Sequence, residues 1–310
     1  MLANRNIQSK LVSFQENKFL RLFDILLNVL LFKGKYVHIH TFSDQAFRIA
    51  ELSSLLASLR QKKIIFTLHG GKLNEFESKN QLRVQKTLSR AHKILTPSYF
   101  LQKHFEQNGF HVDYLPNPIN LVNFPFEHKI RKQSLKILWV RAFDSIYNPE
   151  LAIQILNELK KVYPEATLTM IGPDKGLLPK CNQMISELGL SNSIHILGPI
   201  QNDELYHYYQ NHDIYINTTS YESFGLALME AAACGIPIVS TNVGEIPFIW
   251  EHKKSMMIVP LFDPVLFVQA ILELDSNETL KNDIIQNARS NAEKYDMKNV
   301  IEGWVKLLQA

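Results

Sequence analysis

The chain of 310 residues has little cysteine and little excess charge of either sign. Its two cysteines, Cys181 and Cys234, are far apart and in no metal-ligand spacing, which excludes a disulfide framework and gives no indication of a zinc site. The formal net charge of +3 is too small to predict nucleic-acid binding, although a mildly basic protein can contact an anionic membrane surface. With 46% hydrophobic and 20% charged residues the composition is that of a globular protein, and the rarity of cysteine predicts a cytoplasmic location.

Long hydrophobic runs are lacking as well. The most apolar stretch, residues 19–32, contains Arg21, Asp24 and Asn28 and is too short to span a bilayer. Its apolar residues recur at helical spacing, so we predict an amphipathic helix over residues 17–32 that packs on a sheet. Because the apolar face is broad, a peripheral contact with the inner face of the membrane stays open as an alternative.

The chain does have a regular alternation of strand and helix patterns, which indicates an α/β fold with parallel sheets and crossover helices. The strands predicted in the first part of the chain cover residues 10–14, 36–41, 63–68, 92–96 and 112–115. A polar stretch over residues 127–133 is typical of a linker, and a second series of elements begins with a strand predicted at residues 135–140. The length suffices for two domains, each with its own core.

The most informative stretch covers residues 213–245 (DIYINTTSYESFGLALMEAAACGIPIVSTNVGE). A buried strand over residues 214–216 is followed by a turn, a strong helix-forming run from Phe224, and a second strand over residues 236–241. The first N–H groups of a helix have no intrahelical partner and carry the positive end of the helix dipole, so this helix start suits a phosphate. Gly225 lacks the Cβ atom that would keep a diphosphate away from the backbone.

Two glutamates, Glu222 and Glu230, stand eight residues apart across that turn and helix. Together with the preceding strand, the Phe-Gly pair, the Ala-Cys-Gly-Ile-Pro exit and the Val-Gly pair after the next strand, they resemble the donor-site signature of the family 4 retaining glycosyltransferases. The resemblance extends from Tyr36 onward. It implies the GT-B fold, in which two Rossmann-like domains turn their parallel sheets toward each other across a cleft.

The same resemblance implies the domain bounds. An acceptor-side domain would cover residues 1–122 and be joined by the final helix over residues 296–310, and a nucleotide-sugar-binding domain would cover residues 123–295. Members of the family usually open with a strand, a glycine-rich loop and a helix before the elements found here. We therefore expect a truncated N-terminal domain with an exposed strand edge or apolar face. Such a chain would bind a sugar nucleotide but transfer sugar poorly unless an upstream segment or a partner supplies the unit.

The family's donor-site roles carry over to this chain one residue at a time. The family's first glutamate faces the transferred sugar, a role that the resemblance implies for Glu222. The family's helix start binds the diphosphate, which falls here on residues 224–226. Its second glutamate binds the ribose, which falls on Glu230. A strand followed by a glycine turn at Gly172 also resembles the family's nucleotide-facing loop. The donor-binding residues implied in this way are Ser223, Phe224, Gly225, Leu226, Glu230 and Gly172.

His69 ends the predicted strand over residues 63–68, in the segment TLHGG. Open α/β sheets bind ligands at the carboxyl ends of their strands, and the two glycines leave the backbone there accessible. The resemblance implies that His69 lines the cleft near the sugar and the acceptor. By contrast, His38 and His40 lie inside a predicted strand, and we expect them to be structural core or edge residues.

Arg141 follows the strand predicted at residues 135–140, where a guanidinium can pair with a diphosphate. In the family a lysine follows within one turn of chain, but this sequence has Ile146 or Tyr147 at that place. The role of the arginine therefore carries over, while no residue takes the role of the lysine. The catalytic residues implied by the resemblance are Glu222, His69 and Arg141.

The function implied is that of a retaining glycosyltransferase, which moves a sugar from a nucleotide-diphosphate donor to a hydroxyl of a glycan or lipid-linked acceptor. The nucleotide sugar is a substrate, so no cofactor is expected. No metal is expected either, because the sequence has no Asp-x-Asp pair and the charge of the leaving group can be offset by helix and arginine. Two alternatives remain, a sugar-nucleotide epimerase of the same fold and a donor-binding partner subunit without activity. The sequence specifies neither the base and sugar of the donor nor the acceptor.

Overall fold

The computed structural model describes residues 8–13, 15, 17–70, 72–127, 135–260 and 262–309. The chain divides into two compact units, residues 1–117 with 300–310, and residues 118–299. The first unit thus ends at Asn117, whereas the sequence predicts its end at residue 122. The predicted linker falls on residues 127–133, of which all but Glu127 lie outside the described residues.

The first unit has a four-stranded parallel sheet with helices in its connections. Its helices are α1 (Lys18–Leu31), α2 (Asp44–Leu59), α3 (Leu73–Lys79), α4 (Gln81–Leu88) and α5 (Tyr99–Gln107). Its strands are β1 (Tyr36–Thr41), β2 (Lys63–Leu68), β3 (Lys93–Thr96) and β4 (Asp113–Tyr114), in the order β1-β2-β3-β4. Every strand pair is parallel, as the alternation of strands and helices predicts.

Two predictions for this unit are wrong. Lys10 to Ser13 form no strand, and Phe14, the last residue of the predicted strand, lies outside the described residues. Ser13 has a φ of 72°, a left-handed conformation that an extended strand cannot contain. The single helix predicted over residues 74–89 is divided into α3 and α4 at Asn80, whose side-chain amide donates to the carbonyl of Phe76 and so ends the first helix.

The second unit has a six-stranded parallel sheet in the order β10-β9-β8-β5-β6-β7. Its strands are β5 (Lys136–Val140), β6 (Thr167–Ile171), β7 (Ile194–Ile196), β8 (Ile214–Asn217), β9 (Ile238–Thr241) and β10 (Met257–Val259). Its helices are α6 (Pro149–Leu159), α7 (Leu178–Glu187), α8 (Leu205–Asn211), α9 (Leu226–Cys234), α10 (Ile246–Ile249), α11 (Pro264–Ser276) and α12 (Glu278–Lys294). A final helix, α13 (Met297–Gln309), begins in this unit and belongs to the first unit from Val300 onward.

The sheet of the second unit is buried on both faces, which explains the unbroken apolar runs of its strands. In β8, Ile214 and Ile216 belong to the core on one face, and Tyr215 belongs to the core on the other. Helix α9 is buried from Ala227 to Cys234 because its alanines pack closely against neighbouring elements. The strand–turn–helix–strand unit predicted from the sequence is therefore the centre of this unit. None of the helices formed by the described residues is long and apolar enough to cross a membrane.

Candidate functional site

Arg141 and Glu222 form a buried ion pair at the carboxyl ends of the neighbouring strands β5 and β8. The Nη2 atom of Arg141 donates to Oε2 of Glu222 at 2.6 Å, and its Nε donates to Oδ1 of Asn217 at 3.1 Å. Both side chains of the pair are only 10% exposed. The amide nitrogen of Asn217 donates in turn to Oγ of Ser240, so the acceptor of the guanidinium has a fixed orientation.

The loop after β5 is tied to the loop after β8 by hydrogen bonds to its carbonyl groups. Oγ1 of Thr218 donates to the carbonyl of Tyr147, and the backbone N–H of Ser220 donates to that of Ile146, both at 2.7 Å. The guanidinium carbon of Arg141 lies 5.5 Å from the centre of the Tyr147 ring. Tyr147 is one of the two residues at the place of the expected lysine, and its ring can stabilise the existing cation.

The charged state of Arg141 is well supported by its surroundings. Burial alone would lower the pKa of the guanidinium, but the oxygens of Tyr215 and Glu222 more than offset burial, so the pKa lies above its ordinary value. The ion pair therefore holds a permanent positive charge beside a carboxylate at the end of the sheet.

The start of helix α9 lies directly beside Glu222. Gly225 precedes the helix with a φ of 88°, a conformation that favours glycine, and a Cβ atom there would lie 2.8 Å from Cδ1 of Leu228. Oε1 of Glu222 accepts a long hydrogen bond of 3.4 Å from the backbone N–H of Phe224. The N–H groups at the helix start therefore lie next to the ion pair, and an anion bound there could contact both.

Gly172 follows strand β6 and packs against the backbone of Arg141. A Cβ atom at this glycine would lie 1.9 Å from the carbonyl oxygen of Arg141, closer than any real contact. Its N–H donates to the carbonyl of Gly198 at 2.9 Å. The structure thus gives Gly172 a clear packing role next to the arginine.

Glu230 lies within α9, and its buried carboxylate has two partners. Oε1 accepts from the amide of Asn202 at 3.1 Å, and Oε2 accepts from the hydroxyl of Tyr209, in α8, at 3.0 Å. Burial raises the pKa of Glu230, and the two hydrogen bonds offset part of this rise. Asn202 and Tyr209 therefore orient this carboxylate and favour its charged form against the effect of burial.

His69 belongs to the first unit, where it contacts a second histidine. Its Nε2 lies 2.8 Å from Nδ1 of His40, so one ring donates and the other accepts, and the ring of Phe42 stacks on His69 at 5.3 Å. Partial burial, together with His40, lowers the pKa of His69 to about 4. His38 lies beside His40, with ring centres 4.4 Å apart, and bonds to Thr67. At neutral pH the two hydrogen-bonded imidazoles are uncharged.

The predicted site residues of the second unit form two groups. Arg141, Glu222, the residues at the start of α9 and Gly172 lie together, whereas Glu230 lies further along α9 with partners of its own. Gly71, part of the TLHGG motif, lies outside the described residues. Among the residues that the structure describes, no group of three or more histidine, cysteine, aspartate or glutamate residues is arranged to hold a metal ion.

Several residues that contact the predicted site were not identified as site residues from the sequence. Asn217, Tyr147, Tyr209 and His40 bond or stack on the predicted residues. A signal existed for Asn217, a polar residue at the carboxyl end of a buried strand, and for His40, the next-to-last residue of its strand. Tyr209 gave no signal, because its helical position is equally typical of a core aromatic.

Each of the two units has a parallel sheet with helices in its connections, and the second has a cation and a helix start at the carboxyl ends of its strands. This is the place where open α/β sheets bind ligands. The family follows from a comparison with family models. The model of the glycosyl transferases group 1 matches residues 123–291, more than half of the chain, and the chain belongs to this family.

Curated relatives match this chain over part of its length. The D-inositol 3-phosphate glycosyltransferase of Corynebacterium urealyticum is 28% identical over 184 residues, which are 57% of this chain and 43% of that protein. The enzyme of the same name from Paenarthrobacter aurescens is 25% identical over 206 residues, which are 63% of this chain and 50% of that protein. The matched part of this chain thus spans half or less of the length of these relatives.

Solved structures show the same fold across nearly the whole chain. HepE of Anabaena, solved in complex with UDP-glucose, superposes with a TM-score of 0.79 and 18% identity, over 99% of this chain and 87% of that chain. Sucrose-phosphate synthase of Thermosynechococcus elongatus superposes with a TM-score of 0.77 and 18% identity, over 93% of this chain and 76% of that chain. These likenesses confirm the predicted α/β class and the GT-B fold.

Proposed function

We propose that this protein is a retaining glycosyltransferase that moves a sugar from a nucleotide-diphosphate donor to a hydroxyl of a glycan or lipid-linked acceptor. The observation that carries the proposal is the buried pair of Arg141 and Glu222 beside the start of α9. A lone helix start binds many anions, and a lone ion pair is often structural. Their combination at the carboxyl ends of adjacent strands, in a member of this family, supports a diphosphate leaving group.

Arg141 would stabilise the departing diphosphate. When the bond between the anomeric carbon and the diphosphate oxygen breaks, negative charge accumulates on the diphosphate. A guanidinium has five N–H donors, and the bonds to Asn217 and Glu222 use two of them. The remaining donors and the backbone N–H groups at the start of α9 can receive the phosphate oxygens without rearrangement of the pair.

The two glutamates would act at different parts of the donor. Glu222, held by Arg141, would face the transferred sugar, and Glu230 would accept hydrogen bonds from the ribose hydroxyls. The carboxylate of Glu230 has about four lone-pair positions, and its partners Asn202 and Tyr209 use two. It can therefore bind a ribose while its own partners stay in place. His69, uncharged at neutral pH, would orient the sugar or the acceptor hydroxyl.

The substrate class rests on the family and the donor site together. HepE was solved with UDP-glucose, a nucleotide-diphosphate sugar of the kind proposed here. We propose that no metal takes part, because Arg141 and the start of α9 can neutralise the diphosphate.

We also propose a peripheral contact with anionic membrane lipids, made by a cluster of cations at the amino ends of the strands in the first unit. The Nζ atoms of Lys35 and Lys63 lie 5.0 and 5.6 Å from the centre of the Tyr36 ring, and the His92 ring lies 6.2 Å from the same ring. The charges of Lys63, Lys93 and Lys35 add to loss of hydration in lowering the pKa of His92. Of these cations, Lys93 is paired with Asp113 at 2.8 Å. Anionic lipid headgroups complement such a cluster. Cosedimentation with phosphatidylglycerol vesicles, weakened by salt and absent with phosphatidylcholine, is expected.

The first experiment measures donor binding by calorimetric titration with UDP, GDP and ADP and their sugar forms. We expect saturable binding of one nucleotide diphosphate that Arg141→Ala weakens. The matched control is Arg289→Ala, since Arg289 is also a partly buried arginine of the second unit but bonds to the carbonyl of Ala233. Absence of binding by every nucleotide would contradict the proposed donor.

The second experiment measures transfer. Nucleotide diphosphate should be released faster when a glycan or lipid-linked acceptor is added, and proton NMR of the product should show the anomeric configuration of the donor. Epimerised sugar nucleotide without acceptor would identify an epimerase instead. An inverted anomeric centre would contradict retention.

A further inference from the structure

The two histidines of β1 lie on the face of the strand that is turned away from the core. Val37 and Ile39 of the same strand belong to the core of the first unit, and successive side chains of a strand point to opposite faces. His38 and His40 therefore share the other face, and neither of them is buried. Their imidazole nitrogens are available for bonds to side chains of the neighbouring strand.

Each of these histidines bonds diagonally to a residue of the next strand. His40 is in register with Thr67 of β2, and residues in register across two parallel strands point to the same face. His69 follows Thr67 by two residues and therefore comes to this face as well. Nε2 of His38 lies 2.7 Å from Oγ1 of Thr67. One step further along the strands, Nδ1 of His40 lies 2.8 Å from Nε2 of His69.

The backbone and two aromatic rings hold His69 in place. Its N–H donates to the carbonyl of Thr41, the last residue of β1, at 2.8 Å. The rings of His40 and His69 have planes 21° apart and centres 4.9 Å apart, which suits a hydrogen bond in the plane of both rings. The ring of Phe42, which follows β1, stacks on His69 with planes 20° apart. The orientation of this imidazole is therefore determined by β1 and the residue after it.

The bond between His40 and His69 allows two arrangements of protons. A neutral imidazole has one N–H donor and one acceptor nitrogen. Either Nε2–H of His69 donates to Nδ1 of His40 and both rings are Nε2–H tautomers, or the bond is reversed and both are Nδ1–H tautomers. Because the Nε2–H tautomer is the more stable one in a neutral histidine side chain, the first arrangement is favoured at both rings. Nδ1 of His69 is then an acceptor, and within the described part of the chain it has no hydrogen-bond partner.

We infer that His40 is a positioning residue that keeps His69 in the Nε2–H tautomer, so that Nδ1 of His69 accepts a hydrogen bond from a hydroxyl group of the substrate. The contact with substrate rests on the proposed function, in which His69 orients the sugar or the acceptor hydroxyl. An imidazole suits this task better than a carboxylate. A carboxylate would also accept from Nε2–H, but its charge would favour the imidazolium form of His69, which has no acceptor nitrogen.

The first experiment measures the tautomers directly. Long-range ¹H–¹⁵N NMR of the full chain with ¹⁵N-labelled histidine distinguishes protonated from unprotonated ring nitrogens, and His69→Gln and His40→Asn assign the signals. We expect the Nε2–H form for both His40 and His69 at neutral pH. An Nδ1–H form of His69, or averaging between both forms in the unaltered chain, would overturn the inference. No substrate is needed, so the result does not depend on whether the chain transfers sugar.

Variants of the chain test whether His40 is the cause of that tautomer. His40→Phe keeps a ring at this place but removes the acceptor, so His69 should show an average of both tautomers. His40→Asn can place its side-chain oxygen near the position of Nδ1 and should restore the single Nε2–H form. His38→Phe is the matched control, since His38 lies on the same face of the same strand but bonds to Thr67. An unchanged His69 tautomer in His40→Phe would overturn the inference.

The transfer reaction gives a second readout. His40→Phe should lower kcat about tenfold, the loss expected when one neutral hydrogen bond no longer orients a reacting group. Its affinity for the nucleotide diphosphate should stay unchanged, because the proposed donor-binding residues belong to the second unit. His40→Asn should recover most of kcat, and His38→Phe should retain it.

The outcomes separate this role from a structural one and from the proposed function. Equal losses of kcat in His40→Phe and His40→Asn would show that His40 acts only through packing, and would overturn the inference. If the unaltered chain transfers no sugar but has the expected tautomers, which His40→Phe alters, then the proposed function is contradicted while the positioning of His69 by His40 is supported.

Discussion

The guanidinium of Arg141 donates to the carboxylate of Glu222 at 2.6 Å, and both side chains are shielded from water. Removal of either partner leaves the other charge buried without compensation. We therefore expect Arg141→Ala to lower the free energy of unfolding by about 3 kcal/mol. Urea titration of the purified variant measures this loss.

The double variant Arg141→Ala/Glu222→Gln provides the control for this pair. Because it removes both charges, its stability should exceed that of Arg141→Ala alone, although nucleotide binding stays weak. If the losses of stability in the two single variants simply add up in the double variant, then the two residues do not interact.

A second prediction concerns Gly172. An alanine here would place its Cβ atom 1.9 Å from the carbonyl oxygen of Arg141, so the strand end that carries the arginine has to move. Gly172→Ala should therefore reduce nucleotide binding as well as stability. Gly176→Ala is the matched control in the same loop, since its φ of 111° is also unfavourable for alanine but no atom lies within 4 Å of the added Cβ. Equal effects of both variants on binding would contradict this account.

A third prediction concerns the ribose contact. Glu230→Gln keeps the shape of the side chain but weakens it as an acceptor, and should cost about 1–3 kcal/mol of nucleotide binding. Because burial raises the pKa of Glu230, this side chain becomes protonated at a higher pH than an ordinary glutamate. The affinity for the nucleotide should therefore fall as the pH is lowered. Calorimetry between pH 8 and pH 5 measures both effects.

Tyr209→Phe tests the source of that pH dependence. It removes one hydroxyl that donates to Glu230, so the pKa of the glutamate rises further and the loss of affinity begins at a higher pH. A merely structural tyrosine would change stability and leave the midpoint of the pH profile where it was.

A fourth prediction concerns acid stability. An unfolded chain protonates its histidines near the ordinary pKa of 6.5, whereas in the folded chain partial burial, together with His40, lowers the pKa of His69 to about 4. Between these values the unfolded state binds more protons, so the free energy of unfolding should fall as the pH falls from 6.5 toward 4. Urea titrations at several pH values measure the slope, and His69→Gln should make it shallower. An unchanged slope in that variant would show that His69 does not contribute.

A fifth prediction concerns metal ions. If Arg141 and the start of α9 neutralise the diphosphate, then EDTA should leave nucleotide binding and turnover unchanged. An absolute requirement for an added divalent ion, restored by Mg²⁺ or Mn²⁺ after chelation, would contradict this part of the proposal.

Much of the fold follows from patterns in the sequence. The strand and helix of the central stretch were predictable because a buried strand, a glycine turn and an alanine-rich helix each leave a strong local signal. The short strand β10 and the helix break at Asn80 were not, because their bounds depend on the neighbouring strand and on one side-chain hydrogen bond. The strand predicted over residues 10–14 failed because β propensity does not report a left-handed residue such as Ser13.

The sequence by itself determined the family, the parallel α/β class and the chemical types at the site, since these depend on residue identity and spacing along the chain. Only the tertiary structure decided the partners. Asn217 meets Arg141 across 76 residues of chain, and Tyr209 meets Glu230 across 21. Tyr147 folds back onto Arg141 from the loop that follows the same strand. The physical reason is that hydrogen bonds and burial depend on distances in the folded chain. The sequence gives the type of each side chain, but it does not give the groups that the fold places next to it.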